Sequence, residues 1–304
     1  MINLVKNEWM KLIHRRFTWI AVALVVLAAF GTSYISNAVT EPVAPEEALS
    51  ALEQQAESNE MPPENRERAE ELSFYHENTG TYPLLESTHA FTYVLEGAGS
   101  LAFITMFTVI AGAAVTASEH TTGTIKLLAA SPVARWKILL SKLSAIAAYG
   151  LLLTIVFALS QLGAGILFHG FSIPSPEVIQ WVDGMIRAVS LPVYLGITYG
   201  LAYVEMMIFT VIAFTLGTLF KSQAPAVAFS LVLLFMGPQL VFLASAYDWA
   251  FYVLFAHTSL LTLFQGQPMI DGTSWWQSAG ILFLYVSILL GTTFAVFHKR
   301  DITD

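Results

Sequence analysis

The residues of this chain that could carry chemistry are few and widely spaced. There is no cysteine, which excludes disulfides, thiolate catalysis and cysteine-bound metal. The serine-hydrolase pattern Gly-x-Ser-x-Gly and the phosphate-binding pattern Gly-x-x-x-x-Gly-Lys-Ser/Thr are both absent. The sequence therefore predicts neither an enzyme nor a metal or cofactor bound by this chain. The histidines, which lack metal-ligand spacing, are His14, His76, His89, His120, His169, His257 and His298.

Glu205 is the single ionisable residue with the most informative position, because it lies in the middle of the apolar stretch 191–220. A carboxylate at mid-bilayer costs at least a few kcal/mol unless it is paired, protonated or hydrated. Such groups mark either a substrate pathway or a structural polar contact. Two interpretations stay open. Glu205 lines a pathway in the bundle interior or at a dimer interface, or it is a protonated group bonded to Tyr or Ser of a neighbouring span.

A second informative stretch, residues 119–142, has the sequence EHTTGTIKLLAASPVARWKILLSK. Its charges exclude it from hydrocarbon, although long apolar runs flank it on both sides. Thr121 or Thr122 can cap a short helix with one apolar side. Pro132 ends that helix, because the residue before a proline is pushed out of the helical region. Such a helix can insert into a groove of a soluble partner, but an ordinary basic loop that fixes membrane topology explains the same residues.

The composition indicates that a membrane bundle positions these two features. The chain has 304 residues, of which 56% are hydrophobic and 12% charged, against about 25% charged in an ordinary soluble domain. An apolar run of about 18 residues or more crosses the hydrocarbon as a helix. The sequence therefore predicts an all-α polytopic membrane protein with six transmembrane helices. The predicted spans are 17–36, 93–118, 141–168, 191–220, 225–246 and 277–297.

The segments between the spans differ strongly in composition. Residues 41–86 contain twelve Glu and only two Arg, and prolines and Gly80 mark the ends of two predicted helices there. This acidic face either is simply solvated or collects cations. The predicted segments are an N-terminal amphipathic interface helix (1–16), an acidic extracellular helical insertion (37–92), a cytosolic coupling loop or helix (119–140), an extracellular loop (169–190), re-entrant or interfacial helices (247–276) and a cytosolic tail (298–304).

The distribution of basic residues predicts the orientation. With both termini inside, eleven of the fourteen Lys and Arg residues lie on the inner side and three on the outer side. Cytoplasmic segments of membrane proteins carry such an excess of positive charge. We therefore expect a multi-pass membrane protein with both termini in the cytoplasm.

Residues 119–142 resemble the loop of type-2 ABC exporter permeases, whose common form is Glu, a few residues, Gly-Thr, a leucine-rich run, Pro, Arg and Lys. The opening NEWMKLIHRRFTW and the ending FHKRDI are similar to the same family, and the resemblance covers essentially the whole chain. It implies a permease half that pairs with a second permease chain, identical or related. It also implies two copies of a separate ABC ATPase, which would hold ATP and Mg. Membrane lipid is a further expected partner, and nucleic acid is not. The residues that the resemblance places in ATPase coupling are Glu119, Gly123, Thr124, Ile125, Lys126, Leu127, Leu128, Pro132 and Arg135.

Several functions remain compatible with this pattern. The resemblance implies export of an amphipathic peptide, an antibiotic or a lipid-like compound, driven by the partner ATPase through alternating access. A sodium-type cation exporter is the second hypothesis, because acidic residues outside and Glu205 inside the bundle could serve a cation. An ion-coupled secondary transporter would need several intramembrane ionisable groups. The acidic insertion departs from shorter family members and leaves the substrate class open.

Overall fold

A computed structural model describes residues 1–39, 41, 43–58, 62–82, 88–121, 133–171, 176–182, 185–220, 222–270 and 272–299. Six helical stretches in this part of the chain are long and apolar enough to cross a membrane. The predicted all-α polytopic membrane fold is therefore confirmed. The helices are α1 (Ile2–Ile13), α2 (Arg16–Val39), α3 (Pro45–Glu57), α4 (Pro63–Thr79), α5 (Thr92–Gly97), α6 (Leu101–Thr121), α7 (Arg135–His169), α8 (Leu191–Leu219), α9 (Gln223–Ala244), α10 (Leu260–Phe264) and α11 (Trp275–Lys299).

The candidate spans are α2, α5 together with α6, α7, α8, α9 and α11. A short 3₁₀ turn, Ala98–Ser100, joins α5 to α6. The helix α7 begins at Arg135, six residues before the span predicted from hydropathy. Lys142 consequently lies two turns inside this helix rather than at its start.

The predicted helical insertion between the first two spans is present as α3 and α4. Both helices begin at a proline, a residue whose fixed backbone angle suits the first helical turn. Gly80 follows α4 in the left-handed conformation, with φ of 68°, and its N–H donates to the carbonyl of His76. Glycine adopts this conformation without a Cβ clash, so it ends the helix cleanly.

The sequence did not predict the two strands that precede α8. Strand β1 (Glu177–Val182) and strand β2 (Met185–Ser190) pair in antiparallel order, with Ile179 opposite Ala188. This two-stranded sheet is a small addition to a helical protein. It lies in the segment 169–190, which had been expected to form an extracellular loop.

The chain divides into two compact units. The first unit comprises Met1–Ala23, Leu101–Thr154 and Leu201–Asp304. Its apolar cluster joins α6, α8 and α9 to the short helices before α11. Gly217 lets α8 approach α6 closely, since a Cβ there would lie 2.3 Å from the Ala113 carbonyl oxygen. Small residues at such contacts are typical of helix packing in membranes.

The second unit comprises Leu24–Ser100 and Ile155–Gly200. Here the insertion packs on the hairpin through an apolar core that contains Leu52, Leu72 and Ile179. Between α2 and α7, Ser33 Oγ donates to Gln161 Oε1 at 2.7 Å. Both of these side chains are buried, so this polar contact is satisfied inside the apolar bundle.

The segment 247–276 contains short helices, as predicted. Two 3₁₀ helices, Asp248–Tyr252 and Leu254–His257, precede α10. The buried ring of His257 lies 3.0 Å from Ser278 Oγ and 2.7 Å from the Phe251 carbonyl oxygen. Both ring nitrogens thus have a partner, and His257 fastens these short helices to α11.

Candidate functional site

Four charged side chains meet where α1, α6 and α7 come together in the first unit. Lys142 of α7 has 0% of its surface exposed. Its Nζ atom donates to Glu8 Oε2 of α1 at 3.0 Å and to Glu119 Oε1 of α6. Lys11 Nζ donates to the other oxygen of Glu8 at 2.6 Å. We call Glu8, Lys11, Glu119 and Lys142 the ionic cluster.

Helical periodicity brings these residues together. Glu8 and Leu12 are one turn apart in α1 and form its buried side. Glu119 lies two residues before the end of α6, and Lys142 lies seven residues after the start of α7. The ionic cluster therefore ties α1 to both helices that flank residues 122–132.

The cluster contains two carboxylates and two ammonium groups, so its formal charges cancel. Glu8 is only 5% and Glu119 only 9% exposed. Burial raises the pKa of Glu8, but Lys142 and Lys11 lower it, and the net result is a pKa below the ordinary value. A buried ion pair gains little net stability, because desolvation offsets the attraction. Removing one partner is costly, however, since it leaves an uncompensated buried charge.

Arg135, predicted as an ATPase contact, lies at the start of α7 and binds the end of α11. Its Nη1 atom donates to the carbonyl oxygen of His298 at 2.8 Å and that of Phe297 at 3.5 Å. The last carbonyls of a helix lack partners within the helix, and a cation there also complements the helix dipole. Arg135 thus links the residues after the loop to the last span.

The other predicted coupling residues lie in 122–132, outside the described part of the chain. They are Gly123, Thr124, Ile125, Lys126, Leu127, Leu128 and Pro132. The structure describes both flanks of this segment. Glu119 on one side and Arg135 on the other are engaged by α7 and α11 respectively.

Of the four cluster residues, sequence reasoning predicted only Glu119 as a site residue and missed Glu8, Lys11 and Lys142. A signal for Glu8 was present, because it is the only acidic residue among the first sixteen and has Lys11 three positions later. Lys142 gave a weaker signal, since its position next to an apolar run is typical of a topology-fixing charge. Their pairing, 134 residues apart, is a tertiary contact that no local pattern specifies.

Glu205, unlike Glu8 and Lys142, was predicted as a site residue from the sequence, but the structure gives it no polar partner among the described residues. It lies at the middle of α8, half-buried. Its neighbours on the same helical side, Leu201, Ile208 and Phe209, belong to or pack against the apolar cluster of the first unit. Within the described residues, its carboxylate forms no hydrogen bond or ion pair. Neither a Tyr nor a Ser of a described span bonds it, so the pathway interpretation remains a prediction.

The arrangement favours charge pairing over metal binding. Among the described residues, no three His, Asp, Glu or Cys side chains come close enough to hold a metal ion. In the ionic cluster, the Lys142 ammonium bonds both carboxylates. The cluster can hold α1, α6 and α7 in fixed relative positions, and its ion pairs must rearrange when any of these helices moves.

Comparisons with known proteins place the chain among proteins of undefined activity. A family model described as "Protein of unknown function (DUF2705)" matches residues 65–303. The chain is 30% identical to "Uncharacterized protein YhcI" of Bacillus subtilis (strain 168) over 315 residues, which cover 100% of both chains. It is 26% identical over 198 residues to "Uncharacterized membrane protein YdbK" of the same strain, covering 64% of this chain and 76% of the relative. That name agrees with the six apolar helices, which make this chain a multi-pass membrane protein.

Proposed function

This chain belongs to the DUF2705 family, proteins of unknown function, and we propose that it is the membrane-spanning permease subunit of an ATP-driven exporter. The ionic cluster is the observation that carries this proposal. A transport subunit without its own energy source needs a fixed connection between the surface that receives force and the helices that move. The contacts of Lys142 with Glu8 and Glu119 supply such a connection.

The connection extends on both sides of residues 122–132. Glu119 precedes this segment and is bonded to α7, whereas Arg135 follows it and is bonded to the end of α11. A push on the segment therefore reaches α6, α7 and α11 directly, and α1 through Glu8. Charged pairs that are buried move as a unit, because separating them exposes an unpaired charge to apolar surroundings.

The energy would come from a partner. The chain has no Gly-x-x-x-x-Gly-Lys-Ser/Thr sequence, and in the proposed complex two ABC ATPase subunits hold the ATP and Mg. A second permease chain completes the transporter. Lys and Arg are in excess in the segments expected on the same side of the membrane as the N-terminus. This excess supports a cytoplasmic position for both termini and for residues 122–132 in a bacterial plasma membrane.

The substrate that fits best is an amphipathic peptide, an antibiotic or a lipid-like compound. The spans offer aromatic and aliphatic side chains and few charged groups, which suits an apolar solute. Export of a sodium-type cation is a second candidate, favoured by one observation. Glu205 places a carboxylate without a partner among the described residues at the middle of a span, and a cation would neutralise it.

Affinity purification tests the proposal. The chain is tagged at its C-terminus, extracted from the membrane of its native host in mild detergent, and its partners are identified by mass spectrometry. We expect a stoichiometric ATP-binding cassette protein, and ATP-dependent uptake of a fluorescent amphipathic peptide into inside-out vesicles. Transport by the isolated chain in an ion gradient without ATP would reject the proposal in favour of a secondary transporter.

A further inference from the structure

A group of cations and tryptophans in the first unit has no role in the ionic cluster. Its cations lie in the middle of α1 (Lys6), at the corner between α1 and α2 (Arg15 and Arg16) and in the first turn of α7 (Lys137). We call it the interfacial collar. Its members are Lys6, Arg15, Arg16, Trp19, Trp136 and Lys137.

The first half of the collar is built around the turn between α1 and α2. Trp19 is 62% exposed, and its Nε1 atom donates to the Ile13 carbonyl oxygen at 3.0 Å. This bond fixes the indole beside the end of α1, and the exposed Arg15 and Arg16 lie between Ile13 and Trp19 in the sequence. Beyond Trp19 the helix continues as an apolar span, so the ring lies at the edge of the hydrocarbon.

The second half repeats this pairing at the start of α7. Trp136 is 53% exposed, and Lys137 Nζ lies 5.5 Å from the centroid of its ring. That distance is within the range of a cation–π contact. Lys142 bonds Glu8 of α1 at 3.0 Å, and Lys137 is five residues earlier, about 7.5 Å along the helix axis. Both halves therefore belong to the same end of the first unit.

The collar cations differ from the other cations nearby. Lys11 and Lys142 are paired with carboxylates. Lys6, Arg15, Arg16 and Lys137 are exposed, and with the residues that the structure describes they form no ion pair. In a chain of net charge −8, the first unit thus presents two exposed indoles and four positive groups that no described carboxylate neutralises.

We propose that the interfacial collar binds the phosphate headgroups of anionic membrane lipids. Tryptophan prefers the headgroup level of a bilayer, and clustered Lys and Arg next to a span attract anionic lipids. Met1 and, in α1, Ile2 and Met10 are also exposed, and a bilayer interface can take up such apolar side chains. The N-terminal ends of α2 and α7, at Arg16 and Arg135, carry a partial positive charge and add to the attraction. This inference needs no ATPase and stands apart from the proposed function.

Lipid counting tests the collar. The purified chain is placed in nanodiscs of equal parts phosphatidylglycerol and phosphatidylcholine, and native mass spectrometry identifies the lipids retained after detergent release. We compare the wild type with the variant Arg15→Gln/Arg16→Gln/Lys137→Gln. The matched control, Arg66→Gln/Arg68→Gln/Arg187→Gln, removes the same charge from α4 and β2 in the second unit.

We expect the wild type and the control to retain phosphatidylglycerol preferentially. The collar variant should lose about a hundredfold in apparent affinity for phosphatidylglycerol. Each Lys or Arg near an anionic surface raises the affinity about fivefold, and the variant lacks three of them. If the triple variant fails to fold, the single changes Arg16→Gln and Lys137→Gln should each give about a fivefold loss. An unchanged preference in the collar variant would overturn the proposal, as would an equal loss in the control. Loss of a protein partner with unchanged lipid selectivity would also overturn it and assign the collar to that partner.

Discussion

The ionic cluster and Glu205 are two solutions to the same problem, a carboxylate removed from water. In the cluster, Lys142 and Lys11 neutralise Glu8 and Glu119 within hydrogen-bonding distance. Glu205 lies among apolar side chains and has no such partner in the described part of the chain. Paired charges of this kind hold elements of a structure together, whereas an unpaired carboxylate in apolar surroundings lowers the stability of the fold. The ionic cluster therefore connects helices, whereas the pathway role of Glu205 stays a prediction.

Removing Lys142 should have the largest effect, because Lys142→Met leaves two carboxylates facing each other in a buried site. We expect a loss of about 3–5 kcal/mol in the free energy of unfolding. Thermal or chemical denaturation in detergent measures it. The control Lys137→Met removes an exposed cation from the same helix and should change stability by no more than ~0.5 kcal/mol. A loss of less than ~1 kcal/mol for Lys142→Met would mean that the cluster is solvated.

Glu8→Gln should have a smaller effect that depends on pH. The pKa of Glu8 is lowered on folding, so its stabilisation is present above the unfolded pKa. It is lost as the pH falls through the lower folded value. Denaturation of the wild type and the variant should therefore differ by about 2 kcal/mol at pH 7 and converge as the pH falls below the lowered pKa of folded Glu8. A difference that does not change with pH would contradict the assigned pairing.

Arg135→Gln should cost about 1–2 kcal/mol, because it removes a charged hydrogen bond to the end of α11. Cross-linking or exchange measurements should show that the last turn of α11 becomes more mobile. Lys137→Gln, on the same turn of α7, is the control, and in detergent without anionic lipid it should leave the last turn of α11 unchanged. If Arg135→Gln abolished ATPase binding and left α11 unaltered, Arg135 would be a docking residue, as the sequence suggested.

Glu205→Gln should have the smallest effect on the free energy of unfolding among these variants. Its effect on transport should be larger than its effect on stability. A neutral amide replaces a carboxylate that lacks a partner among the described residues, so stability should stay within ~0.5 kcal/mol or rise slightly. Transport should fall if Glu205 meets the substrate. Glu53→Gln, at an exposed position of α3, is the control. Unchanged transport for Glu205→Gln would remove the pathway role.

The sequence predicted the parts of this fold that depend on local composition. Six apolar runs identified the spans, and Pro45, Pro63 and Gly80 marked the helices of the insertion. The β-hairpin was missed, because its strands are six residues each and border an apolar span. Short strands of this kind give little periodic signal.

The site was only partly predictable for a different physical reason. Glu119 was recognised by its resemblance to a family loop, and Glu205 by its position in a span. Glu8 and Lys142 pair across 134 residues, and only the folded helices bring them together. Arg135 was assigned to a partner surface, but its bond to the end of α11 depends on a contact that the sequence does not encode locally.

The most direct test of the account is the coupling of ATP hydrolysis to transport in the proposed complex with an ATPase. Glu119→Gln keeps the contact between Lys142 and Glu8 and removes the charge that ties α6 to α7. We predict that this variant still assembles with the ATPase and hydrolyses ATP, but that substrate moved per ATP hydrolysed falls at least tenfold, about 1.4 kcal/mol. Wild-type transport per ATP in the variant would contradict a role of the ionic cluster in transmitting force.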